Sequence, residues 1–173
     1  GHFIGSVVVA DSIKQGSKQA IQKLKALGIK NAVMFTGDNQ TTANQISKEL
    51  ELDKCYSELL PQNKVELLED ILKEKNTGKV IFVGDGINDA PVLARADIGI
   101  AMGGIGSDAA IEAADVVIMN DDISKIEDGI VIARNTNKIV NQNIIFALGV
   151  KAVVLILGAM GIATMWLAVF ADV

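Results

Sequence analysis

Lys79-Val80-Ile81-Phe82-Val83-Gly84-Asp85-Gly86-Ile87-Asn88-Asp89-Ala90-Pro91 decides how this chain is read. Lys79–Val83 is a short run rich in β-branched and apolar residues, as a strand covered on both faces requires. Two glycines and two acids follow it. In an open α/β sheet, ligands bind beyond the carboxyl ends of the strands. Glycines there let the backbone turn sharply and approach a ligand closely. Asp85 and Asp89 offer hard oxygen ligands, and Mg²⁺ takes one or two carboxylates together with phosphate and water. The plainer alternative makes Asp85-Gly86 a tight turn, but a turn has no need of a second acid and an Asn within the same few residues.

Outward from this segment, short apolar runs recur at Val7–Ala10, Ala32–Phe35, Ile98–Ala101 and Val116–Met119. Helical stripes lie between them. Ile21, Leu24 and Leu27 form one, Ala43, Ile46 and Leu50 a second, and Val65, Leu68 and Leu72 a third, bounded by Pro61 and Gly78. Alternating strands and helices predict right-handed βαβ units and a doubly wound, Rossmann-like parallel sheet.

Thr36-Gly37-Asp38-Asn39 also follows a strand and precedes a helix. A hydroxyl and free amides at a helix amino terminus bind phosphate, although Thr, Asp and Asn there also serve as ordinary caps. Lys64, just inside the helix after Leu60-Pro61, is placed to neutralise a phosphoryl oxygen. Taken singly, it reads as a solvated surface lysine. The order carries more than any one residue: Thr after one strand, Lys at a helix start, two Asp after the next strand.

Residues 144–173 differ from the rest, with Lys151 and Asp172 their only charges. From about Ile123 nothing interrupts a helix until Gly149, and Ile144–Ala163 supplies the length and apolarity of a membrane span. Thr164-Met165-Trp166 opens another apolar stretch with an interfacial aromatic. An opposed Lys and Asp in neighbouring membrane helices favours an ion pathway, because intramembrane charges pair or bind something. A snorkelling Lys151 and an Asp172 that opens a loop are the plainer alternatives. Net charge is −5, and no basic stripe with interleaved aromatics appears, so nucleic acid is not an expected partner. The single cysteine, Cys55, forms no internal disulfide. With no initiating Met, and with Val173 inside an apolar run, the chain reads as a piece of something longer.

The order Thr, Lys, Asp-Asp resembles the haloacid dehalogenase superfamily. The strings Thr36-Gly37-Asp38 and Gly84–Pro91 are similar to two signatures of the P-type ATPase phosphorylation domain. Ala10-Asp11-Ser12-Ile13-Lys14 resembles the segment that re-enters this domain after the nucleotide-binding insertion. The resemblance implies that Thr36 contacts an aspartyl phosphate, Lys64 stabilises its charge, and Asp85 holds Mg²⁺ with support from Asp89. It also implies that Asp11, Gly37, Asp38 and Asn88 lie near ATP or its phosphates. The Asp-Lys-Thr-Gly-Thr string of these pumps is absent, so the chain alone is expected to form no phosphoenzyme and to hydrolyse no ATP.

Asn141–Lys151 and Trp166–Asp172 look like the last two helices of zinc/cadmium/lead-type heavy-metal pumps. There the Lys is a built-in counter-ion and the Asp a metal-site residue. The Tyr-Asn and Met-Ser positions of copper pumps, the runner-up, are not seen. The implied organisation is residues 1–122 as the second part of the phosphorylation domain, 123–143 as a stalk helix, 144–163 as a membrane helix, and 164–173 as the start of the last one. Implied partners are a lipid bilayer and the upstream actuator, nucleotide-binding and membrane parts, in a multi-pass protein with its α/β domain in the cytoplasm.

Two other readings stay open. A membrane-tethered phosphohydrolase would need an Asp-x-Asp motif after the first strand, and Val7–Asp11 has none; a non-catalytic Mg²⁺ or phosphate module would keep the site without the reaction. Gly104-Ile105-Gly106-Ser107-Asp108-Ala109 matches a dinucleotide pattern, but a lone match is weak, and a glycine loop feeding a helix explains it better. His2 and Cys55 read as a fraying end and a packed thiol. Glu66, Glu69, Asp70, Lys73 and Glu74 read as a solvated helix face, and Asp121-Asp122 as helix-start chemistry.

Overall fold

The computed structural model describes residues 13–84, 86–103, 108–120 and 122–161. The chain divides into two units, Gly1–Glu127 and Asp128–Val173. In the first, strands and helices alternate: α1 (Ser17–Ala26), β1 (Val33–Phe35), α2 (Gln40–Leu50), β2 (Lys54–Tyr56) and α3 (Pro61–Glu74), followed by β3 (Ile81–Gly84). A single 3₁₀ turn (Ile87–Asp89) then leads through α4 (Ala90–Leu93), β4 (Ile98–Met102), α5 (Asp108–Ala113) and β5 (Val116–Ile118) to α6 (Lys125–Ala159).

Among the described residues every strand pairing is parallel, as the sequence predicts. β1 pairs with β2, and β3-β4-β5 form a second group, in registers that set Phe35 beside Tyr56 and Gly84 beside Ala101. The expected strand at Val7–Ala10 and the Gly104–Ser107 loop lie outside the described residues. β2 was not anticipated, because Lys54-Cys55-Tyr56 is too short and too polar to stand out from its surroundings. The central strand β4 is the best covered, with Gly99, Ile100 and Ala101 all buried, while β1 and most of β3 are half-buried.

The three predicted helical stripes face inward. Ile21, Ala43, Leu50 and Leu68 are buried, and Leu93, Ala101 and Ala110 form a core cluster with Phe82, Ala113, Ala114 and Val117 packed on it. Asn39 caps α2 by accepting the Thr42 N–H at 2.9 Å, and Pro61 opens α3, where a missing N–H is harmless. The outer face of α3 is less independent than expected. Asp70 pairs with Lys73 one turn on, but Glu69 reaches across to Arg95.

At the amino ends of the strands one device recurs. Asp53, Asp97 and Asp115 each sit immediately before a strand, and each accepts a backbone N–H from the start of another. The bonds run from Ala32 at 2.7 Å, Val80 at 2.8 Å and Gly99 at 2.8 Å. Asp53 and Asp97 gain lysines too, Lys25 in the first case and Lys75 and Lys79 in the second. The Lys75 hydrogen bond, then the Val80 N–H, hold the Asp97 carboxyl down at about 2. In Asp53 the Ala32 N–H is the larger cause of a lowered value, with Lys25 behind it.

At two strand glycines, close packing excludes side chains. A Cβ on Gly99 would stand 2.6 Å from the Leu93 carbonyl oxygen, and one on Gly84 would stand 2.8 Å from Asp89 Cβ. α4 therefore lies against β4 at backbone distance.

Of the second unit, the described residues are the rest of α6, whose exposed surface includes Ile144, Ile145, Phe146, Leu148, Leu155 and Ile156. An 18-residue window of this helix has mean hydropathy 1.9, and none of it is buried. By length and composition it can cross a membrane. The helix passes Gly149 unbroken.

Two outcomes follow. Gly99→Ala destabilises the full chain by about 1–3 kcal/mol in thermal unfolding, because backbone carbonyl, not a pliable side chain, must yield. The Asp97 contribution is fully present above its unfolded value of 3.8 and is lost as pH falls from there through about 2. The Tm gap between the native chain and Asp97→Asn is therefore wide near pH 7 and closes below pH 4; a constant gap would show that the charge is not what matters.

Candidate functional site

The carboxyl ends of β1 and β3 and the first turn of α3 meet at one cavity. It is about 620 Å³ and is lined by Thr36, Gly37, Lys64, Gly84 and Asp89, among others. Thr36 extends the β1–β2 ladder, its N–H donating to the Tyr56 carbonyl at 2.9 Å. The loop after it is pinned to the next crossover: the Leu59 N–H donates to the Thr36 carbonyl at 3.0 Å and the Glu58 N–H to that of Asp38 at 2.8 Å. Glu58 accepts a left-handed backbone, φ 57°, to make this reach. The Thr36 hydroxyl donates to Asp38 Oδ2 at 2.7 Å and accepts the Asp38 N–H at 3.1 Å.

Lys64 is no solvated surface lysine. Its Nζ lies 2.8 Å from Asp89 Oδ1, and the two side chains keep only 18% and 12% of their exposure. Burying either charge alone is costly; together each supplies the other's counter-charge. Gly84 makes the arrangement fit, since any Cβ there would occupy the space of the Asp89 carboxylate. The aromatic ring of Phe35, which also lines the cavity, packs edge-on to Tyr56 at 5.7 Å and tilted against Phe82 at 6.1 Å.

Thus Thr36, Gly37, Lys64 and Asp89 share the cavity, and Asp38 is joined to it through the Thr36 hydroxyl. Asn88 is exposed and does not line it. Asp11, Asp85 and Asp172 lie outside the described residues, and Lys151 sits in α6 of the other unit. Among the described residues no cluster of three metal-ligating side chains occurs. The donor set nonetheless suits Mg²⁺, which asks for one or two carboxylates and fills its shell with phosphate and water. Asp89 offers a carboxylate whose Oδ1 is taken by Lys64.

The sequence reading missed the cavity's other lining groups. Lys14, Gln19 and Lys23 come from α1 and its lead-in, and Asp122 and Ser124 from the lead-in to α6. Asp122 does perform the expected helix-start role: its Oδ1 accepts the Ser124 N–H at 3.0 Å, and bonds from Ser124, side chain first, lower its pKa. That it also faces the cavity has no local signal, because the contact joins segments far apart in the chain.

A profile of haloacid dehalogenase-like hydrolases matches residues 1–97. Over 172 residues the chain is 58% identical to a cadmium, zinc and cobalt-transporting ATPase of Bacillus subtilis, covering 99% of this chain and 24% of that protein. It is 53% identical over 173 residues to a zinc-transporting ATPase of Synechocystis, covering all of this chain and 24% of the relative. The chain therefore spans about a quarter of the length of these relatives. The crystal structure of a zinc-transporting PIB-type ATPase in its E2.Pi state superposes with a TM-score of 0.85 at 39% identity, over 94% of this chain and 26% of that one. With a matching profile over more than half its length and the parallel-stranded site just described, the chain belongs to the haloacid dehalogenase-like hydrolase family.

Proposed function

We propose that this chain is the second part of the phosphorylation domain and the adjoining membrane segment of a P-type ATPase that exports divalent heavy metal. The observation that carries the reading is the half-buried Lys64–Asp89 pair in one cavity with Thr36, beyond the ends of β1 and β3. In the complete pump, a carboxylate supplied from upstream attacks the γ-phosphorus of ATP. The bond to ADP breaks and an acyl phosphate forms, which water later cleaves to release phosphate.

This chain's residues serve the charge that develops. The Lys64 ammonium neutralises phosphoryl oxygens while Asp89 fixes its position. The Thr36 hydroxyl and the Gly37 amide donate to the same group. Asp85 with Asp89 would hold Mg²⁺, which when bound offsets phosphate charge. Asp11 and Asp38 would lie beside nucleotide, with Asn88 nearer solvent. Without the upstream carboxylate the chain has no nucleophile and is inactive alone.

The apolar part of α6 supports a membrane location, and in this reading the whole pump is multi-pass with the α/β unit in the cytoplasm. The rest of the pump (actuator, nucleotide-binding and other membrane parts) and the bilayer would be the partners. Lys151 and Asp172 would form the counter-ion and metal-site positions. Cadmium, zinc and cobalt in the relatives' names favour a divalent cargo over copper, and Pb²⁺ belongs to the same class.

Three measurements test the reading. In the complete pump Lys64→Met lowers turnover roughly 10²- to 10³-fold, the usual cost of removing one charge stabiliser; unchanged turnover would refute the site. Lys151→Ala or Asp172→Ala abolishes Zn²⁺- and Cd²⁺-stimulated hydrolysis; intact stimulation would refute the metal assignment. The chain by itself, incubated with radiolabelled ATP and Mg²⁺, acquires no acid-stable label; labelling would mean that it carries its own nucleophile.

A further inference from the structure

Lys23 stands between two claims. It lines the cavity from α1, yet its Nζ lies 3.0 Å from Glu127 Oε2 in the first turn of α6. Its side chain keeps 60% of its exposure, whereas Glu127 keeps 26% and the preceding Ile126 is buried at 5%. The acid is therefore anchored and the lysine is the movable partner, on a flexible four-carbon stem. A bridge this exposed biases a local equilibrium by at most about fivefold. Lys64, by contrast, is committed to Asp89 in a mostly buried pair.

The cavity that Lys23 lines gives it something else to bind, the phosphoryl group placed beside Lys64 above. Lys14 and Lys23 line the cavity in addition to Lys64. We propose that Lys23 is a further phosphate-binding cation of this cavity, held by Glu127 without ligand and transferred to an oligophosphate anion when one enters. The exchange loosens α1 from the first turn of α6, so that cavity occupancy is felt at the start of that helix. The inference rests on the phosphoryl-site reading above and adds to it a ligand class and a competing acid.

Competition makes the two partners behave oppositely, which a merely structural bridge cannot do. With the full chain in neutral detergent, Mg²⁺ and tripolyphosphate are titrated calorimetrically. Lys23→Gln weakens binding about two- to fivefold, and Glu127→Gln strengthens it by a similar factor. The double variant behaves like Lys23→Gln alone, and Lys23→Arg keeps native affinity. Parallel weakening in both single variants, or no change in either, overturns the proposal. If Lys64→Met loses tripolyphosphate while the Lys23 and Glu127 variants stay at native affinity, the phosphoryl site stands and this exchange falls. If the native chain binds no tripolyphosphate, this proposal falls.

Discussion

The Lys64–Asp89 ion pair is the constraint around which the site is built. Two opposite charges share little solvent access, and each supplies the other's counter-charge. To bring them within 2.8 Å, α3 must begin where Pro61 starts it, and the chain after β3 must turn at once into the 3₁₀ turn that ends in Asp89. Gly84 must lack a side chain to leave room for that carboxylate. A glycine, a proline and two charges, in three separate segments, answer to one contact.

The two ends of the sheet divide the polar chemistry between them. At the amino ends, Asp53, Asp97 and Asp115 spend their carboxylates on backbone N–H groups and, in two cases, lysines, which fixes strand to strand. At the carboxyl ends, the Thr36 hydroxyl meets only the short loop of Asp38, and the Lys64–Asp89 pair borders open volume. One end is closed by its own hydrogen bonds. The other keeps donors and charge facing a cavity, as expected of a parallel sheet that binds ligands past its strand tips.

Much of this is legible in the residues because it is local. Unbroken apolar runs locate β1, β3, β4 and β5 to within two residues, helical stripes mark the inner faces of α1 to α3, and Gly84–Pro91 announces the site by composition alone. What escapes has long-range causes. β2 owes its existence to pairing with β1, not to any apolar run of its own. Lys64 looks like any surface lysine until α3 is laid beside Asp89, and Glu69 like any solvated acid until Arg95 arrives. Each Asp that precedes a strand has a partner about 16 to 21 positions earlier, a regularity visible only once the bonds are drawn.

The central claim is that Lys64, held by Asp89, meets a phosphoryl group that Thr36 also touches. It is tested most directly by a crystal structure of the complete pump with Mg²⁺ and beryllium fluoride, a mimic of the acyl phosphate. The account predicts fluoride ligands within about 3 Å of both Lys64 Nζ and Thr36 Oγ1, with the ammonium still on Asp89. A mimic bound away from both groups, or a Lys64 that leaves Asp89 without reaching it, would contradict it.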